Sequence, residues 1–134
     1  MAVHESFVSF IAQVAEVSVE AGRIRVQHVT CAIDCGMAIN PSGIAAQMES
    51  GIAFGLGAAL HSRLKFKDGR VQQSNCHDCE VLRMHQMPAV EAHIVPSTGK
   101  SGGVGEPGGE RAPVSVPHDR FVAQSKAWMD AGAP

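Results

Sequence analysis

Apolar and polar positions change period several times along this chain, and each change marks an element. Ala15, Val17 and Val19 alternate with Glu16, Ser18 and Glu20, which predicts the second half of a strand over 7–19 with one buried face. Its first half, Phe7 to Val14, is apolar on both faces, as in a covered central strand. Glu20-Ala21-Gly22-Arg23 reads as a turn. A second strand follows over about 24–33, with Ile24 and Val26 opposite Arg25 and Gln27, so the two form a hairpin. At Asn40-Pro41 the period lengthens to that of a helix. Asn is a good cap and Pro suits the first helical position, and the helix is expected to run to about Arg63. Ile44, Met48 and Ile52 make one stripe; Gly51, Gly55 and Ala59 make another.

Glycine costs a helix about 1 kcal/mol per position relative to alanine. Gly51, Gly55 and Gly57 therefore predict a neighbour pressed against the helix backbone. Another helix or strand is the favoured neighbour over a ligand. Asp68-Gly69, between Leu64-Lys65-Phe66 and Val71-Gln72-Gln73, predicts a second hairpin. Glu91 to Val95 predicts a short strand ended by Pro96, and Val122 to Met129 a helical turn or two. The expected fold is α+β. An N-terminal hairpin and one long helix pack on a small mixed or antiparallel sheet, followed by a glycine-rich loop and an irregular C-terminal tail.

Composition narrows the function. The 11 Lys+Arg and 13 Asp+Glu leave a net charge of −2, which excludes a strongly basic nucleic-acid binder. Aromatic residues are 4% with no Tyr, so a base-stacking surface is not expected. No apolar run approaches the roughly 20 residues of a membrane helix, and no secretory leader is visible at the N-terminus. A cytoplasmic location is expected. Cys31, Cys35, Cys76 and Cys79 are read as reduced thiols. A zinc site from Cys31-x3-Cys35 and Cys76-x2-Cys79, with His28 or His77 as substitute ligands, is disfavoured because the first pair lies in a strand. No metal ligands are assigned. A thioredoxin-like role for Cys76-x2-Cys79 fails because Pro88 cuts the following segment short.

Six of the 14 glycines fall between Gly99 and Gly109. Gly99-Lys100-Ser101 is not a phosphate-binding loop: Ile94 stands where the motif needs Gly, and no helix is expected to follow. Gly103-x-Gly105-x-x-Gly108 matches a dinucleotide fingerprint in letters only. Glu106 would face the pyrophosphate, and the required helix is replaced by Gly109-Glu110-Arg111-Ala112-Pro113. A third reading makes Glu106 the point of the loop. Gly105 permits close approach, Pro107 biases Glu106 toward extended backbone, and a carboxylate so presented can act as a general base.

Several motifs then follow in order: His4-Glu5-Ser6-Phe7, Ala12-Gln13-Val14-Ala15-Glu16-Val17, Asp34-Cys35-Gly36, Asn40-Pro41, Gln47-Met48-Glu49-Ser50-Gly51-Ile52, Leu82-Arg83-Met84 and Gly103-Val104-Gly105-Glu106-Pro107-Gly108. Over about residues 2–109 this series resembles the C-terminal molybdenum-cofactor-binding region of the xanthine dehydrogenase/aldehyde oxidase family, in the branch of isoquinoline 1-oxidoreductase beta subunits and bacterial aldehyde dehydrogenases. The resemblance implies that Glu106 is the active-site base in hydroxylation of an aldehyde or N-heterocycle, that Gln47 contacts the pterin, and that Gly103, Val104 and Gly105 lie against the cofactor. It divides the chain into a partial molybdopterin-binding domain over 1–109 and a divergent tail over 110–134. In that tail an apolar, Ala-rich family helix is replaced by Glu110-Arg111-Ala112-Pro113. The coding DNA after codon 109 is expected to encode that helix in another frame.

Family members seat the cofactor between two large domains. This chain alone is therefore expected to bind no molybdopterin tightly, to be inactive, and to need a companion subunit or to self-associate as a homodimer or larger. The other expectation is a stand-alone, non-enzymatic binding or assembly domain derived from that family, possible cargo of a mobile element.

Overall fold

The computed structural model describes residues 1–62, 64–75 and 77–110. The tail beyond, including the helical turns expected at Val122 to Met129, lies outside them. Strand β1 (Ala2–Ser6), β2 (Ser9–Glu20) and β3 (Arg23–Asp34) precede helix α1 (Pro41–Leu60). Strands β4 (Phe66–Lys67) and β5 (Arg70–Val71), a 3-10 turn (Met84–Gln86), β6 (Ala89–Ile94) and the short helix α2 (Pro107–Glu110) follow. The fold is α+β. Its main sheet has the order β1-β2-β3-β6, antiparallel except where β6 runs parallel to β3.

The β2–β3 hairpin forms where the pattern predicts it, but past the bulge its buried face does not: Val17 and Val19, expected to face inward with Ala15, are exposed. Ala21 and Gly22 both take positive φ, as a two-residue turn with the twist of the flanking strands requires. The register shifts between Glu16 and Val17, which leaves Gln27 as the extra residue of a bulge on β3. The Asp68-Gly69 hairpin also forms, joining β4 and β5. At the start of the chain the structure corrects the sequence reading. Residues 7–19 are not one strand: Phe7 and Val8 form a tight turn, both at positive φ, and β1 is an additional strand. Positive φ normally calls for Gly, Asn or Asp, so Phe-Val carries no turn signal.

Helix α1 starts where Asn40 caps it, its side-chain oxygen accepting from Gly43 N at 3.1 Å. It ends at Leu60, three residues before the expected limit. Ile44, Met48, Ile52 and Leu56 of α1 pack on Ile11, Val29, Cys31 and Ile33 of the sheet to make the core. The register places Phe10, Val14, Thr30, Glu91 and His93 on the opposite sheet face. Strand β2 is central by pairing, as expected. It is not covered on both faces, since Phe10 and Val14 stay about half exposed at 51% and 50%.

Candidate functional site

The glycine-rich stretch is tied to the fold at successive points. Met37 N donates to Gly99 O at 3.0 Å, and Gly102 N to Cys35 O at 2.9 Å. Gly103 N donates to Phe7 O at 2.9 Å. Ser9 Oγ donates to Gly103 O at 2.7 Å, and Gln13 Nε2 to Gly108 O at 3.3 Å. The Phe7-Val8 turn meets the loop where side chains have no room. A Cβ on Gly102 would stand 2.8 Å from Val8 O and 2.9 Å from Phe7 O, and one on Gly103 2.8 Å from Phe7 Cβ.

After Gly105 the chain closes one helical turn, with Gly109 N donating to Glu106 O at 2.8 Å. The expectation that no helix follows Gly99-Lys100-Ser101 holds over 101–106, and this four-residue turn forms only at the end of the cluster. Pro107 has its φ pre-set for a first helical position, and packing supports the turn where propensity does not. Pro107 is fully buried. Gly108 lies on Met48, and a Cβ on Gly51 would come within 2.7 Å of Gly108 C and Gly109 N. The close neighbours of two of the helix glycines are therefore protein: α2 against Gly51, and Leu82 against Gly57.

Between α1 and the loop lies a groove of about 320 Å³, lined by Met37, Ile39, Gly43, Ile44, Gln47 and Val104 among others. It brings together two of the residues singled out from sequence. Gln47 is exposed on α1, and its amide can both donate and accept. Val104 is half-buried against the core. Gly103 precedes it, and beside Gly105 no atom comes within 4 Å of where a Cβ would be. Glu106 is exposed and does not line the groove. The arrangement offers one polar amide, an apolar wall, a side-chain-free backbone and, two residues beyond Val104, a carboxylate. These suit the edge and face of a flat, polar-rimmed group, and they form one wall of such a site rather than a closed cavity.

Cys31 and Cys35 are packed in the core and Cys79 is exposed; Cys76 lies outside the described residues. Among the described residues no three His, Cys, Asp or Glu side chains gather as metal ligands, and no helix is long and apolar enough to cross a membrane. Sequence reasoning missed Ser9 and Gln13. They are the buried polar side chains among the described residues, at 0% and 3% exposure. The signal was present: both fall on the inward phase of β2, where an apolar residue is the rule. Gln13 Oε1 is buried without a hydrogen-bond partner among the described residues, which costs about 1–3 kcal/mol.

A family described as "Molybdopterin cofactor-binding domain" matches residues 2–88, a span that includes Gln47 and ends before the glycine loop. The chain is similar to isoquinoline 1-oxidoreductase subunit beta of Brevundimonas diminuta, with 41% identity over 85 residues. That match covers 63% of this chain and 11% of the relative. It is similar also to the membrane-bound aldehyde dehydrogenase (pyrroloquinoline-quinone) of Gluconacetobacter polyoxogenes, with 32% identity over 97 residues, 71% of this chain and 12% of that one. Among solved structures, quinoline 2-oxidoreductase from Pseudomonas putida 86 has the same fold over 88% of this chain and 16% of its own, with TM-score 0.74 and 23% identity. The chain thus spans about a tenth of the length of the curated relatives it matches.

Proposed function

As this chain belongs to the molybdopterin cofactor-binding domain family, we propose that it forms one wall of a molybdenum hydroxylase site, acting on an aldehyde or N-heterocycle. The observation that carries the reading is the shared groove of Gln47 and Val104, with Glu106 exposed just past the open side of Gly105. Gln47 would hold the pterin edge through its amide, and Gly105, with no atom beside it, would let the group approach the backbone, while the space at Gly103 is taken by Phe7. The bound cofactor supplies the oxygen-transfer and two-electron chemistry. Glu106 would act as general base, taking a proton on a carboxylate oxygen.

The wall is incomplete by itself. Ligand sites of roughly 300–1,000 Å³ bury most of a ligand's surface, and this groove is at the bottom of that range for a larger group. The remaining walls would come from a companion chain or from the rest of a longer subunit. The half-exposed apolar side chains of β2 favour such a partner, or self-association in its absence.

Metal analysis of the purified chain should find molybdenum far below stoichiometric, rising when the rest of the family architecture is co-expressed. A near-stoichiometric content in the chain alone would overturn the incompleteness. In the assembled enzyme, Glu106→Gln should retain molybdenum and lose about 10²–10⁴ in turnover. Full turnover in that variant would refute the base.

A further inference from the structure

Both buried polar side chains among the described residues do the same thing. Ser9 and Gln13 lie four residues apart on the inner face of β2. Each reaches out of the sheet to a backbone carbonyl of the glycine stretch. Ser9 Oγ holds Gly103 O at 2.7 Å, and Gln13 Nε2 holds Gly108 O at 3.3 Å. The segment between these two anchors is Val104-Gly105-Glu106-Pro107, which carries the exposed carboxylate at its middle.

We infer that Ser9 and Gln13 form a two-point clamp that positions Glu106 by fixing both ends of its loop; the role in catalysis rests on the reading of Glu106 as the base. Three features support it. The loop is rich in glycine, so its backbone has unusual freedom to lose. Its own internal bond is Gly109 N to Glu106 O, which closes the turn without fixing the turn to the sheet. And Gln13 keeps its Oε1 buried and unpaired, a cost that an apolar residue of the same length would not carry. What such a residue could not do is donate to Gly108.

Direct contact then joins the clamp to the fold. The turn sits with Gly108 on Met48 and Gly109 on Gly51, so packing sets its depth. The two side-chain hydrogen bonds, with the backbone bonds from Gly102 N to Cys35 O and Gly103 N to Phe7 O at the near end, set its position along the strand. A catalytic base displaced by about 1 Å loses much of its effect, so this second constraint matters for the proton transfer even where packing alone would keep the loop folded.

The test is amide hydrogen exchange on the full 134-residue chain, read at Gly103 and Gly109, whose amides are both hydrogen-bonded. Ser9→Ala should speed exchange at Gly103, and Gln13→Met at Gly109, each about tenfold. Amides of β3 such as Ile33 should change far less than the loop amides in either variant. Loop exchange that changes only in step with β3 would overturn the clamp, because that is what general destabilisation does. Ser9→Ala decides the matter if Gln13→Met does not fold. In the assembled enzyme each variant should lower kcat several-fold at an unchanged KM, and the loss should vanish in a Glu106→Gln background. A Glu106→Gln enzyme with full turnover would remove the base reading separately, since the exchange result stands without it.

Discussion

Replacing Gly36 by alanine separates two costs that a glycine can hide. Gly36 follows β3 with φ +71, and a Cβ there would stand 2.7 Å from Lys100 C and 3.0 Å from Gly99 O. Both obstacles are backbone, so neither can swing aside. Its amide is already committed to Asp34 Oδ1 at 3.0 Å, and its neighbour Met37 N to Gly99 O, so the segment cannot retreat without losing hydrogen bonds. The left-handed conformation costs an L-residue about 1–2 kcal/mol. Overpacking adds about 1–3 kcal/mol, for a total of about 2–5 kcal/mol. Gly22 provides the control: its φ is +77 and nothing lies within 4 Å of its Cβ position. Gly22→Ala should therefore cost the conformational part alone, about 1–2 kcal/mol. Urea denaturation of both variants, at matched m-values, measures the difference. Equal costs at the two positions would refute the contact between Gly36 and the loop.

Other perturbations have equally definite outcomes. Met48 is fully buried beneath Gly108, so Met48→Ala should cost about 2–5 kcal/mol, read by the same denaturation. Burial pushes the Cys31 thiol above its ordinary value, and the Gln13 side chain pulls it part of the way back. The folded state thus holds that proton more tightly than the unfolded state. The resulting stability is intact below the ordinary thiol range and is lost as pH rises through and beyond about 9; thermal melts from pH 7 to 10 should show the decline, and Cys31→Ala should flatten it. At neutral pH an alkylating reagent should modify exposed Cys79 well before Cys31 or Cys35, as mass mapping would reveal. Phe10→Thr with Val14→Thr should raise the monomer fraction by light scattering while changing stability by no more than about 1 kcal/mol; unchanged association would count against the open face as its cause.

The sequence was informative wherever one short-range signal sufficed. Ala21-Gly22, Asp68-Gly69 and Asn40-Pro41 each carry their own turn or cap chemistry, and each element appears in place. The helix stripe of Ile44, Met48 and Ile52 identified the buried face directly. The Phe7-Val8 turn was illegible because its backbone conformation opposes both residues' preferences, so only the β1–β2 pairing and the loop packed on it hold it. The turn at Pro107 was hidden for a related reason. Gly108 and Gly109 argue against a helix locally, yet their missing side chains are what let the turn lie on Gly51 and Met48. Of the candidate site, the groove of Gln47 and Val104 joins residues 57 positions apart, which no local pattern could announce.

Strand β2 departs from the usual alternation at four positions, and those departures link the fold to the proposed role. Its inward row includes Ser9 and Gln13, both buried, while its outward row includes Phe10 and Val14, both half exposed. A domain that stood alone would gain by exchanging these properties, since half-covered antiparallel sheets place apolar residues inward. The inward exceptions are accounted for by their hydrogen bonds to Gly103 and Gly108. The outward ones have no such account within the described residues. Thr30, Glu91 and His93 share that outer face, so it is mixed rather than greasy, in the manner of surfaces that meet another part of an assembly. Under the proposed reading the same strand serves two directions: its inner face would steady the loop that carries Glu106, and its outer face would offer a surface to the rest of the site.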